Sequence, residues 1–156
     1  MKGETPIILS AGSWKSLSLM AAIVCTAAGR NPKLFLKSGP GAVHAGDILR
    51  YLRGVRRHLA GRKLLLFWDG LAAHRAKIVR RFLKENRSWL RAIRMPAYAP
   101  ELNPPEYLWA AMKAKDLPNL RPDLASVGRA VARSYRRIKK QPDLLAGFLK
   151  ASKLFR

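Results

Sequence analysis

The chain has 156 residues, of which 31 are Lys or Arg and 9 are Asp or Glu, for a formal net charge of +22. A hydrophobic content of 49% supports a packed core and excludes general disorder, while the single Cys25 excludes an internal disulfide and reads as an inert buried thiol in a reducing cytoplasm. The charge calls for a polyanionic partner, nucleic acid before acidic membrane, because no stretch approaches the roughly 20 apolar residues of a membrane span.

Leu17 to Ala28 could serve as a signal-peptide core behind Lys2 and Lys15, but Glu4 and Pro6 disturb such a leader. A central strand over Leu17 to Thr26 is the simpler reading. Pro32 to Gly39 alternates and is bounded by Pro and Gly, which predicts a second strand followed by a turn at Gly39-Pro40-Gly41. Ile48, Leu49, Leu52, Val55 and Leu59 recur at helical spacing among Arg50, Arg53, Arg56 and Arg57, and Gly61 ends that helix. Lys63 to Gly70, "KLLLFWDG", holds five apolar residues in a row and predicts a strand covered on both faces. Ile78, Val79, Phe82, Leu83, Trp89 and Leu90 predict a helix, and "LRAIRMP" a short strand before Pro96. A helix opens at Asn103-Pro104-Pro105-Glu106 and runs to about Lys115. Another carries Leu124, Val127, Val131, Tyr135 and Ile138 opposite a basic face, and a last one follows Pro142. Strands alternating with helices predict an α/β domain, with two helices appended at the C-terminus.

Chemistry on nucleic acid points to phosphoryl transfer through hard divalent ions, which take oxygen ligands, so the nine carboxylates are the candidates. Most have structural readings. Asp47 and Asp123 sit in first helical turns and Asp143 repeats that pattern. Asp116 follows a helix end, Glu85 lies between basic helix positions, Glu4 is N-terminal and Glu101 sits in a proline-bounded turn. Asp69 follows the apolar run Leu64 to Trp68, so it projects from the C-terminal end of a strand, where ligands gather in open α/β sheets. The alternative is an Asp-Gly hairpin turn. Glu106 fits N3 of a helix capped by Asn103, which leaves capping and ligation both open. His74, five residues after Asp69, could be a ligand, a phosphate contact or an orienting residue. His44 and His58 belong to no constellation.

"LLLFWDGLAAHRAKIVRRFL" followed by "IRMPAYAPELNPPEYLWAAMK" resembles the catalytic core of DDE transposases, in particular the bacterial insertion-sequence branch of the Tc/mariner superfamily. The matching residues are Asp69, Gly70 and His74, then Pro96, Tyr98, Pro100, Leu102, Asn103, Pro104, Glu106 and Trp109, with Lys113 beyond; Met95 stands where Leu is usual. Thirty-six residues lie between Asp69 and Glu106, within the interval of such enzymes. The resemblance extends over nearly the whole chain, from "GETPI" (Gly3 to Ile7) to the C-terminal helices.

It implies an RNase H-like fold: a mixed sheet flanked by helices, with 1–120 as a truncated catalytic domain lacking its first strand and 121–156 as a helical extension. Asp69 and Glu106 are then catalytic and metal-binding residues for Mg²⁺ or Mn²⁺ in two-metal phosphoryl transfer, supported by His74 and Asn103. The first Asp of the family's triad lies upstream of the "G-x-TP" segment, as does a DNA-end-binding region. A transposase catalytic fragment for DNA cleavage and strand transfer, inactive without an upstream segment, is therefore expected, so enzymatic activity of this chain by itself stays open. The alternative is a non-catalytic DNA-binding remnant that interferes with an intact transposase. Arg75, Lys77, Arg80, Arg81, Lys113, Arg133, Arg136 and Arg137 are candidate DNA contacts, each with a solvated basic face as the alternative. The expected partners are element-end and target DNA, with an upstream-frame polypeptide or a homo-oligomer as protein partner and no membrane. The expected location is the bacterial cytoplasm, at the nucleoid.

Overall fold

The computed structural model describes residues 8–9, 16–96, 99–117 and 123–154. The "GETPI" opening and Tyr98 lie outside the described residues. The element order is β1 (Ile8–Leu9), β2 (Ser16–Val24), β3 (Lys33–Pro40), α1 (Ala45–Arg57), β4 (Leu64–Trp68), α2 (Lys77–Glu85), β5 (Leu90–Arg94), α3 (Pro104–Lys115), α4 (Leu124–Lys139) and α5 (Pro142–Ala151). Short 3₁₀ turns occupy Ala72–Arg75 and Pro100–Leu102. The chain divides into two compact units, 1–42 with 100–156, and 43–99. Both antiparallel and parallel pairing are present, as expected of a mixed fold, but in two small sheets: β1-β2-β3 and β4-β5.

In the first unit β2 is central, as its apolar run implied, and pairs antiparallel with β1 and β3. Ladder pairing continues to Leu17↔Pro40, so Pro40 belongs to the strand and the predicted turn is left to Gly41, whose φ of 71° suits glycine. Leu17, Leu19 and Leu34 of this sheet pack with Leu108, Trp109 and Met112 of α3, Val127, Val131 and Ile138 of α4, and Leu145 and Phe148 of α5. Asp123 starts α4 by accepting hydrogen bonds from the Ala125 and Ser126 amides. Asp116 caps the end of α3, and its Oδ2 accepts from Ser134 Oγ at 2.6 Å and from the Arg137 guanidinium. That places the one carboxylate between α3 and α4.

In the second unit, Ile48, Leu52 and Val55 of α1 and Val79 and Phe82 of α2 are buried. Phe82 and Trp89 meet edge to face at 6.5 Å; the Arg53 and Arg56 guanidinia lie over these two rings. Two expectations are corrected here. The helix through Leu90 stops at Glu85, because the Asn86 side chain donates to the Phe82 carbonyl and accepts from Trp89 Nε1, closing a turn that releases Leu90 into β5. β4 is not covered on both faces: Leu65 is 51% and Phe67 39% exposed, while Leu64, Leu66 and Trp68 are half-buried. A run of apolar residues does not distinguish one covered face from two.

The Asp116 cluster should set part of the stability. Burial pushes its carboxyl pKa up, but the hydrogen bonds from Arg137 and Ser134 and the charges of Arg137 and Lys115 outweigh burial and hold it below the usual 3.8. A depressed folded pKa means stabilisation that is present above the unfolded value and lost as pH falls through the folded one. Asp116→Asn should therefore cost roughly 1.5–3 kcal/mol in urea unfolding at neutral pH. Its difference from the parent chain should shrink below pH 4. Asp143→Asn, at an exposed helix start, should stay within about 0.5 kcal/mol.

Candidate active site

β4 and β5 run parallel, in register from Leu64↔Leu90 to Trp68↔Arg94, and the Met95 amide donates to the Trp68 carbonyl at 2.9 Å. Parallel pairing settles the alternative for Asp69: no hairpin turns at Asp69-Gly70, and Gly70 is not among the described positive-φ glycines. Asp69 instead leaves the C-terminal end of β4. Its Oδ1 accepts from the Leu71 amide at 3.0 Å, an Asx turn that starts the Ala72–Arg75 3₁₀ turn. That turn delivers His74 back onto Asp69.

His74 Nδ1 stands 3.1 Å from the Asp69 carbonyl and 3.2 Å from Asp69 Oδ1. A carbonyl can only accept, so Nδ1 carries a proton where it meets Asp69. The imidazole stacks on Trp68, with centroids 4.1 Å apart and planes 12° from parallel. His74 is only 16% exposed, against 41% for the Asp69 side chain. His74 thus meets Asp69 at both its carbonyl and its carboxylate. Burial works to raise the Asp69 pKa; the His74 hydrogen bond, the Leu71 amide and the His74 charge prevail and lower it. Among the described residues the donors to the Asp69 carboxylate converge on Oδ1.

Glu106 belongs to the other unit and is built differently. The Pro100–Leu102 turn closes with the Asn103 amide on the Pro100 carbonyl at 2.9 Å, and the Glu106 amide donates to the Asn103 carbonyl at 2.9 Å. Asn103 occupies the N-cap by backbone geometry, but its side chain makes no capping hydrogen bond; the prolines at the helix start hold the turn instead. Pro104 is buried, and Leu108, Trp109 and Met112 anchor the helix in the core. The Tyr107 hydroxyl lies 3.2 Å from the Glu101 carbonyl and 3.1 Å from that of Ala151, tying this turn to the end of α5. Glu106 thus sits on a first turn fixed on several sides. Among the described residues no group of three or more His, Cys, Asp or Glu is placed to hold a metal ion.

Of the basic candidates, Arg75, Lys77, Arg80, Arg81, Lys113, Arg133 and Arg136 are exposed. Arg81 pairs with Glu85 at 2.8 Å, and Arg137 is turned inward to Asp116 with 25% exposure. Trp68 was missed by sequence reading as part of the Asp69 turn; an aromatic directly before the strand-end Asp, with His five residues on, is the available signal.

The family described as DDE superfamily endonuclease matches residues 1–124. The chain belongs to that family. Among solved structures, its fold is similar to the Mos1 mariner paired end complex with Mn, at 20% identity and a TM-score of 0.53 over 96% of this chain. It is likewise similar to the catalytic domain of Mos1 mariner transposase, at 19% identity and a TM-score of 0.51, covering 90% of this chain and 83% of that one. A third is the Mos1 Strand Transfer Complex, at 20% identity and a TM-score of 0.53 over 91% of this chain. The chain spans 48% and 44% of the proteins in the two complexes. No match was found among curated proteins. The RNase H-like transposase catalytic-domain fold expected from the motifs is the observed one.

Removing the imidazole tests the turn. In His74→Ala the Asp69 carboxyl should titrate at higher pH than in the parent chain, read from its side-chain carboxyl carbon by NMR. Burial would then act against fewer compensating donors.

Proposed function

We propose that this chain is the catalytic-domain part of a transposase of the bacterial insertion-sequence branch, serving metal-dependent DNA cleavage and strand transfer. Asp69 and Glu106 are two of its carboxylates. The observation that carries this reading is the Asp69 turn: a strand-end carboxylate, its Oδ1 occupied by the Leu71 amide and His74, offering its remaining oxygen. Family membership over 1–124 supports the reaction class, and the "APELNPPEYLW" helix start supports Glu106 as the second carboxylate.

The donor chemistry suits Mg²⁺ or Mn²⁺, since both carboxylates offer hard oxygens, and the similarity in fold to a Mos1 mariner complex with Mn agrees. Bound ions would supply Lewis-acid polarisation of the phosphate and activation of the attacking hydroxyl. The chain's own residues hold the carboxylates for this. His74 and the Leu71 amide keep Asp69 ionised and aimed, and the proline-built first turn presents Glu106 from a fixed helix. The family's third carboxylate and DNA-end-binding region belong to a segment upstream of "GETPI", and the protein partner is an upstream-frame polypeptide or a homo-oligomer. Arg75, Lys77, Arg80, Arg133 and Arg136 contact DNA phosphates, and the bacterial nucleoid is the site of action.

The chain mixed with the upstream segment and Mn²⁺ should cut element-end DNA. Asp69→Ala and Glu106→Ala should each abolish cutting, a larger loss than the roughly 10–100-fold typical of groups behind the ligands. DNA affinity should stay unchanged or rise slightly, because a negative charge is removed near phosphate. Cutting that survives either substitution would overturn the site. DNA binding with no cutting under any combination would return the non-catalytic reading.

A further inference from the structure

Arg94 ends β5 directly opposite Trp68, the last residue before Asp69. Strand alternation puts it on the same side of β5 as Leu90 and Ala92, whereas Arg91 and Ile93 point to the other face. Its guanidinium lies across Gly70: a Cβ built there would meet Arg94 Nη2 at 2.9 Å, Nε at 3.4 Å and Cζ at 3.5 Å. Gly70 has no left-handed backbone to explain the glycine, since the described glycines with positive φ are Gly29, Gly41 and Gly61. What the missing side chain provides is a seat for Arg94.

Among the described residues the seated guanidinium has no recorded acidic partner, unlike Arg50 with Asp47, Arg81 with Glu85, Arg129 with Asp123 and Arg137 with Asp116, and no recorded ring beneath it, unlike Arg53 and Arg56. Arg94 is exposed, permanently charged and held one residue from the strand-end carboxylate. A planar fork so placed offers parallel N–H donors to an anion with two acceptor oxygens.

We propose that Arg94, seated on Gly70, is a binding residue for a backbone phosphate of the nucleic acid brought to Asp69. This rests on the transposase reading for the identity of the substrate, but not on metal occupancy. Lysine would not replace it, lacking the fork, and a side chain at position 70 would displace it without removing charge.

The test uses the full chain with a short DNA duplex in EDTA, reading phenylglyoxal modification of each arginine by peptide mass spectrometry. Duplex should protect Arg94 several-fold and leave Arg91, on the opposite face of the same strand, little protected. Gly70→Val should abolish the Arg94 protection while retaining the parent chain's circular dichroism. Arg94→Ala, a surface change that leaves the fold intact, should lower the slope of log affinity against log salt by about 1, with Arg94→Lys failing to restore affinity in full. Equal modification of Arg94 with and without duplex, or equal protection of Arg91 and Arg94, would overturn the proposal. So would protection that persists in Gly70→Val. The metal reading stands or falls separately, on whether Asp69→Asn weakens Mn²⁺ binding by the chain.

Discussion

The parallel pairing of β4 with β5 is the constraint on which the Asp69 turn depends. Parallel strands cannot be joined by a tight turn, so the chain must leave β4, cross over and return. The departure is the Asp69-Gly70 step, and the crossover is the 3₁₀ turn with α2. Because the ladder extends to Trp68↔Arg94 and to the Met95 amide, the strand end is held up to the residue before Asp69. His74 and Trp68 then close on each other, so the carboxylate is oriented by groups that the crossover itself brings back.

Glu106 is held by the opposite strategy. No strand carries it; a 3₁₀ turn, two prolines and a helix buried through Leu108, Trp109 and Met112 hold its first turn. Each carboxylate therefore has its own support within its own compact unit.

The cations are not one surface feature. Arg53, Arg56 and Lys139 lie over aromatic rings, Arg137 is spent between α3 and α4, and Arg50, Arg81 and Arg129 pair with nearby carboxylates. Exposed cations with no such recorded partner among the described residues include Arg75, Lys77, Arg80, Arg133 and Arg136, with Arg94 set apart by its place against Gly70. The net charge of +22 thus overstates what is available to a polyanion.

Local pattern determined a good deal of this protein. Apolar periodicity marks α1 and α4, proline-marked starts mark α3 and α5, the Pro and Gly boundaries mark β3, and the spaced Asp69 and Glu106 motifs identify the family, because each signal lies among neighbours along the chain. The end of α2 escaped notice because one asparagine side chain outcompeted the helical pattern for a backbone carbonyl. The exposed face of β4, the inward turn of Arg137 and the seat of Arg94 on Gly70 were decided by tertiary structure alone. Each depends on which surfaces meet across long sequence separations. A charged side chain carries no local mark of whether it will find a carboxylate, a ring or only water.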